Sequence, residues 1–330
     1  MSTPLRLAEL RAPNEPPRIV LGTMNFGERT KEPESIEVIR RARERGVTCF
    51  DTANIYCSGE SERILGKALE LSSSSKRAEV EIATKVGAWK KEGLGADRVR
   101  ASIDESLARL GTDHVDVYYL HVPDAGTPIR ETLTALADVL RAGKARAWGV
   151  SNYASWQILE MLGVAREIGL AAPACAQHLY NCLHRELEIE YLAFRAAFPI
   201  HLTVYNALAG GLLTGRHAFD TAKAEKGSRL DTNPLYKRRY VSDAMFARAA
   251  DVAKIAATHG VSLVDLAYAF PGTRSVVDSV LVGPANAAQL DAAIQGVATR
   301  LEPACVAALD ALERAWTGTD THYARLAKTP

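Results

Sequence analysis

Three absences restrict what this chain of 330 residues can be. Its cysteines are odd in number and include no CxxC pair, so we expect free thiols in a reducing compartment rather than a disulfide framework. No apolar run reaches the roughly eighteen residues needed to cross a bilayer. Residues 1–17 combine charges with four prolines, unlike a secretory signal. These absences predict a cytoplasmic protein that does not enter a membrane.

Strong net charge and nucleotide-binding motifs are also missing. Lys and Arg total 40 against 39 Asp and Glu, a formal net charge of +1, which gives no electrostatic basis for binding nucleic acid or a membrane. No GxGxxG follows a strand-like run and no P-loop occurs, which disfavours a Rossmann or phosphate-loop site. Histidines such as His114, His184 and His259 lack ligand spacing, so we expect no metal site. The predicted partners are small molecules.

The chain does contain a repeat of strand-like and helical patterns. Eight apolar runs are predicted to be strands, at residues 19–22, 47–50, 80–84, 115–120, 145–150, 174–179, 200–205 and 279–282. Helical patterns separate them. This alternation predicts a closed parallel (β/α)8 TIM barrel. We expect a single domain over residues 1–330, with residues 1–17 as a flexible lead.

Helical spacing of apolar residues predicts the helices 34–45, 60–71, 97–110, 128–141, 155–168, 185–197, 243–258 and 302–316, the last leaving a tail at 317–330. Asp97 is the expected cap of the helix that it begins. Residues 72–76 are predicted to be a polar connector. The segment Gly215–Val241, after strand 7, is too long for an ordinary connection. We expect it to be a flexible cover over a ligand.

Four residues with complementary acid–base chemistry follow three successive predicted strands. Asp51 and Tyr56 follow the second strand, Lys85 follows the third and His121 follows the fourth. In a parallel barrel these strand ends meet at one face, where active sites lie. Taken singly, Asp51 is more typical of a helix cap and Lys85 of a surface lysine. Their joint arrangement favours catalysis.

These residue types suit carbonyl reduction. A phenol with a pKa of about 10 exchanges protons poorly at neutral pH unless its neighbours shift that pKa. We expect Lys85 to lower the pKa of Tyr56, while Asp51 keeps the lysine charged and in place. His121 can polarise a carbonyl oxygen, and Tyr56 can deliver the proton. The hydride must come from a cofactor, because no side chain supplies one.

Three motifs that carry these residues resemble the aldo-keto reductase superfamily: FDTANIY from Phe50, TK from Thr84 and YYLHVPD from Tyr118. The resemblance implies that Asp51, Tyr56, Lys85 and His121 form a catalytic tetrad. Further motifs resemble its branch of aflatoxin aldehyde reductases and succinic semialdehyde reductases, which uses NADPH: HVPDAGTP from His121, SNYASW from Ser151, YNALAGGLLTG from Tyr205, SRL from Ser228 and HYAR from His322.

The same resemblance implies how the cofactor is held. Ser151, Asn152 and Gln177 match contacts to the nicotinamide carboxamide, Tyr205 matches the aromatic residue that stacks on the nicotinamide ring, and the glycine-rich run after it matches the pyrophosphate loop. The implied cofactor residues are Thr23, Met24, Ser151, Asn152, Gln177, Tyr205, Asn206, Ala207, Leu208, Ala209, Gly210, Gly211, Leu212, Thr214, Gly215, Arg216, Arg229, Gly283 and Gln289.

Substrate contacts are implied for Trp89, His121, Tyr323 and Arg325. Trp89 either packs the barrel mouth or lines the pocket. The Arg325 guanidinium suits aldehydes that carry an acid group, because guanidinium binds carboxylate through two hydrogen bonds. The related branch often forms dimers, so we expect a monomer or a homodimer.

Two other functions remain compatible with the sequence. The first is a cofactor-binding regulatory subunit of the same fold, as in the potassium-channel β-subunits, where bound cofactor senses redox state. Co-purification with a membrane partner and negligible turnover would favour it. The second is a metal-dependent barrel hydrolase. Insensitivity to chelators together with dependence on nucleotide would exclude it.

Overall fold

The computed structural model describes residues 4–88, 92–219 and 223–318. Eight parallel strands close into a barrel in chain order, with the first strand paired to the last. The predicted (β/α)8 barrel is therefore confirmed, and each strand begins and ends within two residues of its predicted range. The strands are β1 (Arg18–Gly22), β2 (Cys49–Asp51), β3 (Glu81–Val86), β4 (Val115–Leu120), β5 (Ala145–Ser151), β6 (Cys175–Leu179), β7 (His201–Tyr205) and β8 (Ser279–Val282).

Helices connect the strands. They are α1 (Glu32–Glu44), α2 (Glu60–Ala68), α3 (Ser74–Arg77), α4 (Ala96–Leu110), α5 (Ile129–Arg141), α6 (Ser155–Glu167), α7 (Tyr191–Ala197), α8 (Arg229–Thr232), α9 (Pro234–Tyr240), α10 (Asp243–Thr258), α11 (Leu263–Ala269), α12 (Ala287–Ala298) and α13 (Pro303–Thr317). Short 3-10 turns add Arg6–Ala8, Tyr56–Gly59, Glu186–Glu188, Ala209–Thr214 and Phe270–Thr273. The final helix that the sequence predicts is present as α13.

Alternating side chains along the strands build two hydrophobic layers. In β4, Tyr118 and Leu120 belong to the layer between strands and helices, whereas Val117 and Tyr119 belong to the layer inside the barrel. The inner layer is mostly small because an eight-stranded barrel leaves little internal space. Its buried members are Leu7, Val20, Cys49, Ala83, Val117, Tyr119 and Cys175. The barrel interior is therefore a packed core.

The N-terminal lead closes the amino end of the barrel. The Leu7 side chain is only 1% exposed and lies in the inner layer. The amides of Arg6 and Leu7 donate to the Glu81 carboxylate at 2.7 and 2.9 Å, and the Arg11 amide donates to Asp278 at 2.6 Å. We expected a flexible segment from the prolines. The buried leucine and the two buried carboxylates explain why the described part of the lead contacts the barrel.

Three local predictions are wrong. The expected helix 185–197 is divided into Glu186–Glu188 and α7, because Glu190 has φ −150° and ψ −26°, outside the helical range. The expected connector 72–76 contains part of α3. Gly95, not Asp97, is the N-cap of α4. Asp97 lies in the first turn instead, where its negative charge interacts favourably with the helix dipole.

The segment 215–241 contains two helices where we expected a flexible cover. Ser228 and Asn233 cap α8 and α9 by accepting backbone amide hydrogen bonds. The two helices bury Leu230, Tyr236 and Tyr240. These three positions are irregularly spaced among charged residues, so the helical periodicity in the sequence is weak.

Helices α11 and α12 have no counterpart in the sequence-based prediction. The buried face of α12 consists of Leu290, Ala293, Gly296 and Val297. Two of these residues are small, so the hydrophobic pattern that marks a helix is weak. Within the three described ranges, no helix combines the length and the apolar character needed to span a membrane.

Candidate active site

The four predicted acid–base residues meet at the carboxyl end of the barrel. β2 ends at Asp51, β3 contains Lys85, and His121 directly follows β4. These three strands are consecutive neighbours. Tyr56 begins the 3-10 turn Tyr56–Gly59, which leads from β2 towards α2. The structure therefore brings together the side chains that the strand ends predict to be close.

A buried ion pair joins Asp51 and Lys85, whose side chains are 2% and 0% exposed. Lys85 Nζ donates to Asp51 Oδ1 and, at 2.8 Å, to the carbonyl oxygen of Thr52. Gln177 Nε2 donates to Asp51 Oδ2 at 2.9 Å. Burial raises the pKa of Asp51 and lowers the pKa of Lys85, and each charge opposes the shift of the other. The hydrogen bonds to both Asp51 oxygens hold this pair in one geometry.

Tyr56 lies beside the pair, with Lys85 Nζ 5.1 Å from the centroid of its ring. Burial, followed by the charge of Asp51, raises the pKa of Tyr56 well above its ordinary value. We expected Lys85 to lower this pKa, and that prediction is wrong, because the pKa is raised. Burial of the phenol is the largest cause of the raised pKa. Tyr56 is therefore protonated at neutral pH, the form that can donate a proton.

His121 faces Tyr56 edge-on, with ring centroids 5.8 Å apart and an interplanar angle of 79°. Burial, and then the charge of Lys85, lowers the pKa of His121 to about 3. Its Nδ1 is buried and has no hydrogen-bond partner among the described residues. A neutral imidazole carries one N–H donor. His121 can therefore donate to a carbonyl oxygen while remaining uncharged.

Asn152 connects several strand ends next to this group. Its Nδ2 donates to the His121 carbonyl oxygen at 3.0 Å and to Ser151 Oγ at 2.9 Å. The Tyr205 hydroxyl donates to Asn152 Oδ1 at 2.7 Å, and the Asn152 amide donates to the Gln177 carbonyl oxygen at 3.0 Å. The four residues predicted to contact the nicotinamide thus form one hydrogen-bonded group at the same end as Asp51.

The loop after β7 has a conformation that fits a bound diphosphate. Asn206, Ala209, Gly210 and Gly211 have φ of 71°, 49°, 69° and 107°. Asn206 Oδ1 accepts from the Gly210 amide at 2.7 Å, which fixes the turn. No described atom lies within 4 Å of the place where a Cβ on Gly211 would stand, so a ligand can approach the backbone there. Turns of this kind present backbone amides to anions.

Other predicted cofactor residues lie around this loop. Arg229 Nη2 donates to Asn25 Oδ1, and Asn25 Nδ2 donates to the Gly283 carbonyl oxygen at 3.3 Å. Gln289 Oε1 accepts a hydrogen bond at 2.9 Å from the backbone amide of Ala285, which lies between β8 and α12. Asn25 therefore links the loops after β1 and β8 to α8. It is absent from the predicted set, although its neighbours Thr23 and Met24 are in it.

The remaining predicted residues differ in exposure. Buried side chains, which leave mainly the backbone for a ligand, are those of Thr23, Ala207, Ala209 and Leu212. Partly or fully exposed residues are Met24, Leu208, Thr214, Gly215 and Arg216. Three predicted substrate contacts lie outside the described residues: Trp89, Tyr323 and Arg325.

Sequence reasoning missed Ser61, which ties the start of α2 to two strand ends. Its hydroxyl bonds to Thr23 Oγ1 at 2.6 Å and Thr52 Oγ1 at 3.1 Å, and donates to the Thr23 carbonyl oxygen at 2.9 Å. The signal was its spacing of three and four residues from the buried Ile64 and Leu65, which places it on the same face of the helix.

An ion pair, a protonated phenol and a neutral imidazole at the ligand-binding end of a closed parallel barrel are the arrangement of a barrel enzyme with an acid–base site. The family model described as "Aldo/keto reductase family" matches residues 18–314. The chain belongs to the aldo-keto reductase family, and the resemblance seen in its motifs is confirmed. Membership of this family supports an oxidoreductase.

Individual relatives agree with this assignment. The chain is 36% identical over 315 residues to "Aflatoxin B1 aldehyde reductase member 2" of Rattus norvegicus, covering 91% of this chain and 84% of that protein. The Homo sapiens protein of the same name is 36% identical over 327 residues, covering 94% and 89%. "Probable voltage-gated potassium channel subunit beta" of Oryza sativa subsp. japonica is 32% identical over 273 residues, covering 81% and 83%.

Proposed function

We propose that this protein is an NADPH-dependent reductase that converts aldehydes and reactive ketones to alcohols. The observation that carries the proposal is the placement of a protonated Tyr56 and a neutral His121 beside the buried Asp51–Lys85 pair. The names of the mammalian relatives support aldehydes as the substrate class.

Tyr56 is the proposed general acid. Its raised pKa keeps it protonated until a substrate oxygen gains negative charge. The Lys85 ammonium then stabilises the phenolate that forms, because its Nζ lies 5.1 Å from the centroid of the Tyr56 ring and is shielded from water. A positioned general acid contributes roughly a hundredfold to ten-thousandfold in rate.

The other residues of the group bind the substrate oxygen or hold the ion pair in this proposal. His121 donates its single N–H to the substrate carbonyl oxygen and orients it towards Tyr56. Asp51 fixes Lys85, and Gln177 fixes Asp51 through its second carboxylate oxygen. Because burial removes water from the pair, each of these interactions is stronger than at a surface.

NADPH, when bound, supplies the hydride. We propose that the amides around Gly211 hold its diphosphate and that Ser151, Asn152, Gln177 and Tyr205 hold the nicotinamide end. Arg216, Arg229 and Gln289 are the proposed contacts at the other end, where a guanidinium suits the additional phosphate of NADPH. The remaining predicted cofactor residues are part of the same proposal.

The cellular setting is also a proposal. We propose a cytoplasmic monomer or homodimer that acts on small carbonyl compounds and binds no nucleic acid. Arg325 remains the predicted contact for an acid group on the substrate, and Trp89 and Tyr323 remain predicted substrate contacts.

The direct test has two stages. The purified protein is titrated with NADPH and with NADH by fluorescence, and reduced-cofactor absorbance is then followed with succinic semialdehyde, nitrobenzaldehyde and a dicarbonyl. We expect tighter binding of NADPH and turnover of at least one carbonyl. Absence of NADPH binding would contradict the cofactor proposal.

A second candidate is a regulatory subunit, favoured by the relatives named as potassium channel subunits. It predicts a different outcome of the same experiment, namely NADPH binding with no turnover of any carbonyl. Co-purification with a membrane protein would then support it.

A further inference from the structure

The turn that carries Tyr56 has an unfavourable backbone conformation. Cys57, Ser58 and Gly59 follow Tyr56 with φ of 49°, 56° and 88°. The left-handed region is disfavoured for residues with a side chain, and two of these three residues have one. Such a turn persists only where its surroundings hold it.

Arg109 of α4 packs against this turn. A Cβ on Gly59 would stand 2.6 Å from Arg109 Cδ and 2.8 Å from Arg109 Nε. The arginine side chain therefore lies directly on the Gly59 backbone. Glycine is required here for this close approach as well as for its positive φ.

A buried carboxylate fixes Arg109 in that position. Arg109 Nε donates to Glu62 Oε2 at 2.6 Å, and the Glu62 side chain is 0% exposed. The Thr84 hydroxyl donates to the other oxygen, Glu62 Oε1, at 2.5 Å. Thr84 directly precedes Lys85 on β3. One carboxylate thus joins α4, α2 and the strand that carries Lys85.

We propose that Arg109 and Glu62 are positioning residues, which hold the turn after β2 against β3 so that the Tyr56 phenol stays beside Lys85. This inference rests on the proposed function, since it assigns a purpose to the position of Tyr56. Neither residue touches the reacting atoms in this account.

The electrostatics of Lys85 agree with this arrangement. Burial lowers the pKa of Lys85, Asp51 raises it, and Glu62 raises it further. Glu62 is therefore close enough for its charge to reach the ammonium. Because Glu62 is paired with Arg109, its electrostatic attraction for Lys85 is weakened. Asp51 remains the direct partner of the lysine.

The amino end of the barrel provides a matched control. Arg77 and Asp116 form a pair at 2.6 Å whose side chains are 6% and 2% exposed. This pair also joins a helix to the strands, but it has no contact with the turn at Tyr56. Arg77→Met and Arg109→Met make the same chemical change, removing the donors and keeping an unbranched apolar side chain.

The experiment compares these two variants with the wild-type protein. We measure kcat and KM for one aldehyde, the NADPH dissociation constant and the melting temperature. For Arg109→Met we expect kcat to fall roughly tenfold or more, because small displacements of a catalytic group are costly. We expect NADPH affinity to stay within about twofold, since that variant leaves the cofactor loop unchanged. Arg77→Met lowers the melting temperature and retains kcat.

The inference is overturned if folded Arg109→Met keeps the wild-type kcat, or if both variants lose kcat equally. If Arg109→Met does not fold, Glu62→Gln decides in its place. That variant keeps the side-chain shape and removes the charge, and an unchanged kcat would contradict the inference. A wild-type protein without turnover would instead contradict the proposed function, and this inference with it.

Discussion

The two ends of the barrel use buried charges in different ways. At the amino end, Asp116 accepts from Arg77 at 2.6 Å, from Arg146 at 2.7 Å and from the Ile82 amide at 2.8 Å. Each donor belongs to a different segment of the chain. The charges at this end therefore connect elements of the fold and leave the carboxylate fully engaged.

At the carboxyl end, a buried polar group beside the ion pair lacks a hydrogen-bond partner within the described ranges. Asp51 and Lys85 are as well paired as Asp116 and Arg77, yet His121 beside them keeps a buried Nδ1 without a partner among the described residues. A buried polar atom without a partner costs stability. Arg11 Nε and Arg195 Nε, at the amino end, also lack a partner among the described residues. The His121 nitrogen differs from them because it lies beside an acid–base group, where a ligand can complete its hydrogen bonding.

A cavity at the amino end is lined by none of the four acid–base residues. It has a volume of about 900 Å³ and opens beside Arg6, Arg77, Asp116 and Arg146. Arg77 and Arg146 both pair with Asp116 there, and Arg6 Nη1 donates to Thr48 Oγ1 at 2.7 Å. His121, whose Nδ1 has no partner among the described residues, and the protonated Tyr56 lie at the opposite end. Chemistry rather than volume therefore locates the candidate site.

The largest expected effect comes from Lys85→Met. It leaves Asp51 buried without its cation, which costs about 3 to 5 kcal/mol of stability. It also removes the charge that stabilises the phenolate, so we expect kcat to fall by roughly a thousandfold. Urea unfolding and steady-state kinetics measure the two losses. A folded variant with normal kcat would remove Lys85 from the mechanism.

The counterpart at the amino end is Asp116→Asn. It withdraws the charge shared by Arg77 and Arg146, and we expect a loss of about 3 kcal/mol in the free energy of unfolding. Because this end takes no part in the chemistry, kcat at 25 °C should stay within about twofold. A large loss of kcat in the folded variant would break the distinction between the two ends.

Leu7→Ala tests whether the N-terminal lead is part of the fold. Removing a fully buried leucine leaves a cavity, so we expect a loss of about 2 to 3 kcal/mol without a change in kcat. Circular dichroism during thermal unfolding measures the loss. A melting temperature equal to that of the wild-type protein would show that the lead is as flexible as its prolines predict.

The smallest effect is a dependence of stability on pH. Burial lowers the pKa of His121 to about 3 and that of His201, at the amino end, to about 4. In the unfolded chain a histidine has a pKa of about 6.5. The unfolded state therefore binds more protons below that value. The contribution of each neutral histidine to the free energy of unfolding is therefore fully present above pH 6.5. It decreases as the pH falls, by up to about 2 kcal/mol per histidine at pH 5.

His201→Gln separates the two contributions. The difference in unfolding free energy between pH 7.5 and pH 5 should become smaller by the share of His201, while the dependence of kcat on pH stays unchanged. His201 donates to the Glu9 carbonyl oxygen and bonds to Ser279, away from the candidate site. Equal pH dependence of stability in variant and wild type would contradict the lowered pKa.

The architecture could be predicted because its signals are local. β4 and α10 have their predicted bounds, since each combines a clear apolar pattern with flanking polar residues. Parallel strands then place Asp51, Lys85 and His121 at one face whatever the packing details. In α12, where alanine and glycine occupy half of the buried face, this pattern is missing and prediction failed.

The contacts between distant elements could not be predicted. The hydrogen bond from Gln177 to Asp51 and the packing of Arg109 on Gly59 join residues far apart in the chain. Their existence depends on side-chain reach in the folded barrel. The direction of the Tyr56 pKa shift also depends on this environment, because burial and then the charge of Asp51 raise that pKa in the folded barrel.

The most direct test of the central claim is the turnover of Tyr56→Phe with an aldehyde that the wild-type protein reduces, measured together with its NADPH dissociation constant. Removing the hydroxyl removes the proton donor, so we expect kcat to fall by at least about a hundredfold with NADPH affinity nearly unchanged. Wild-type turnover in this variant would contradict the account of the carboxyl end as an acid–base site.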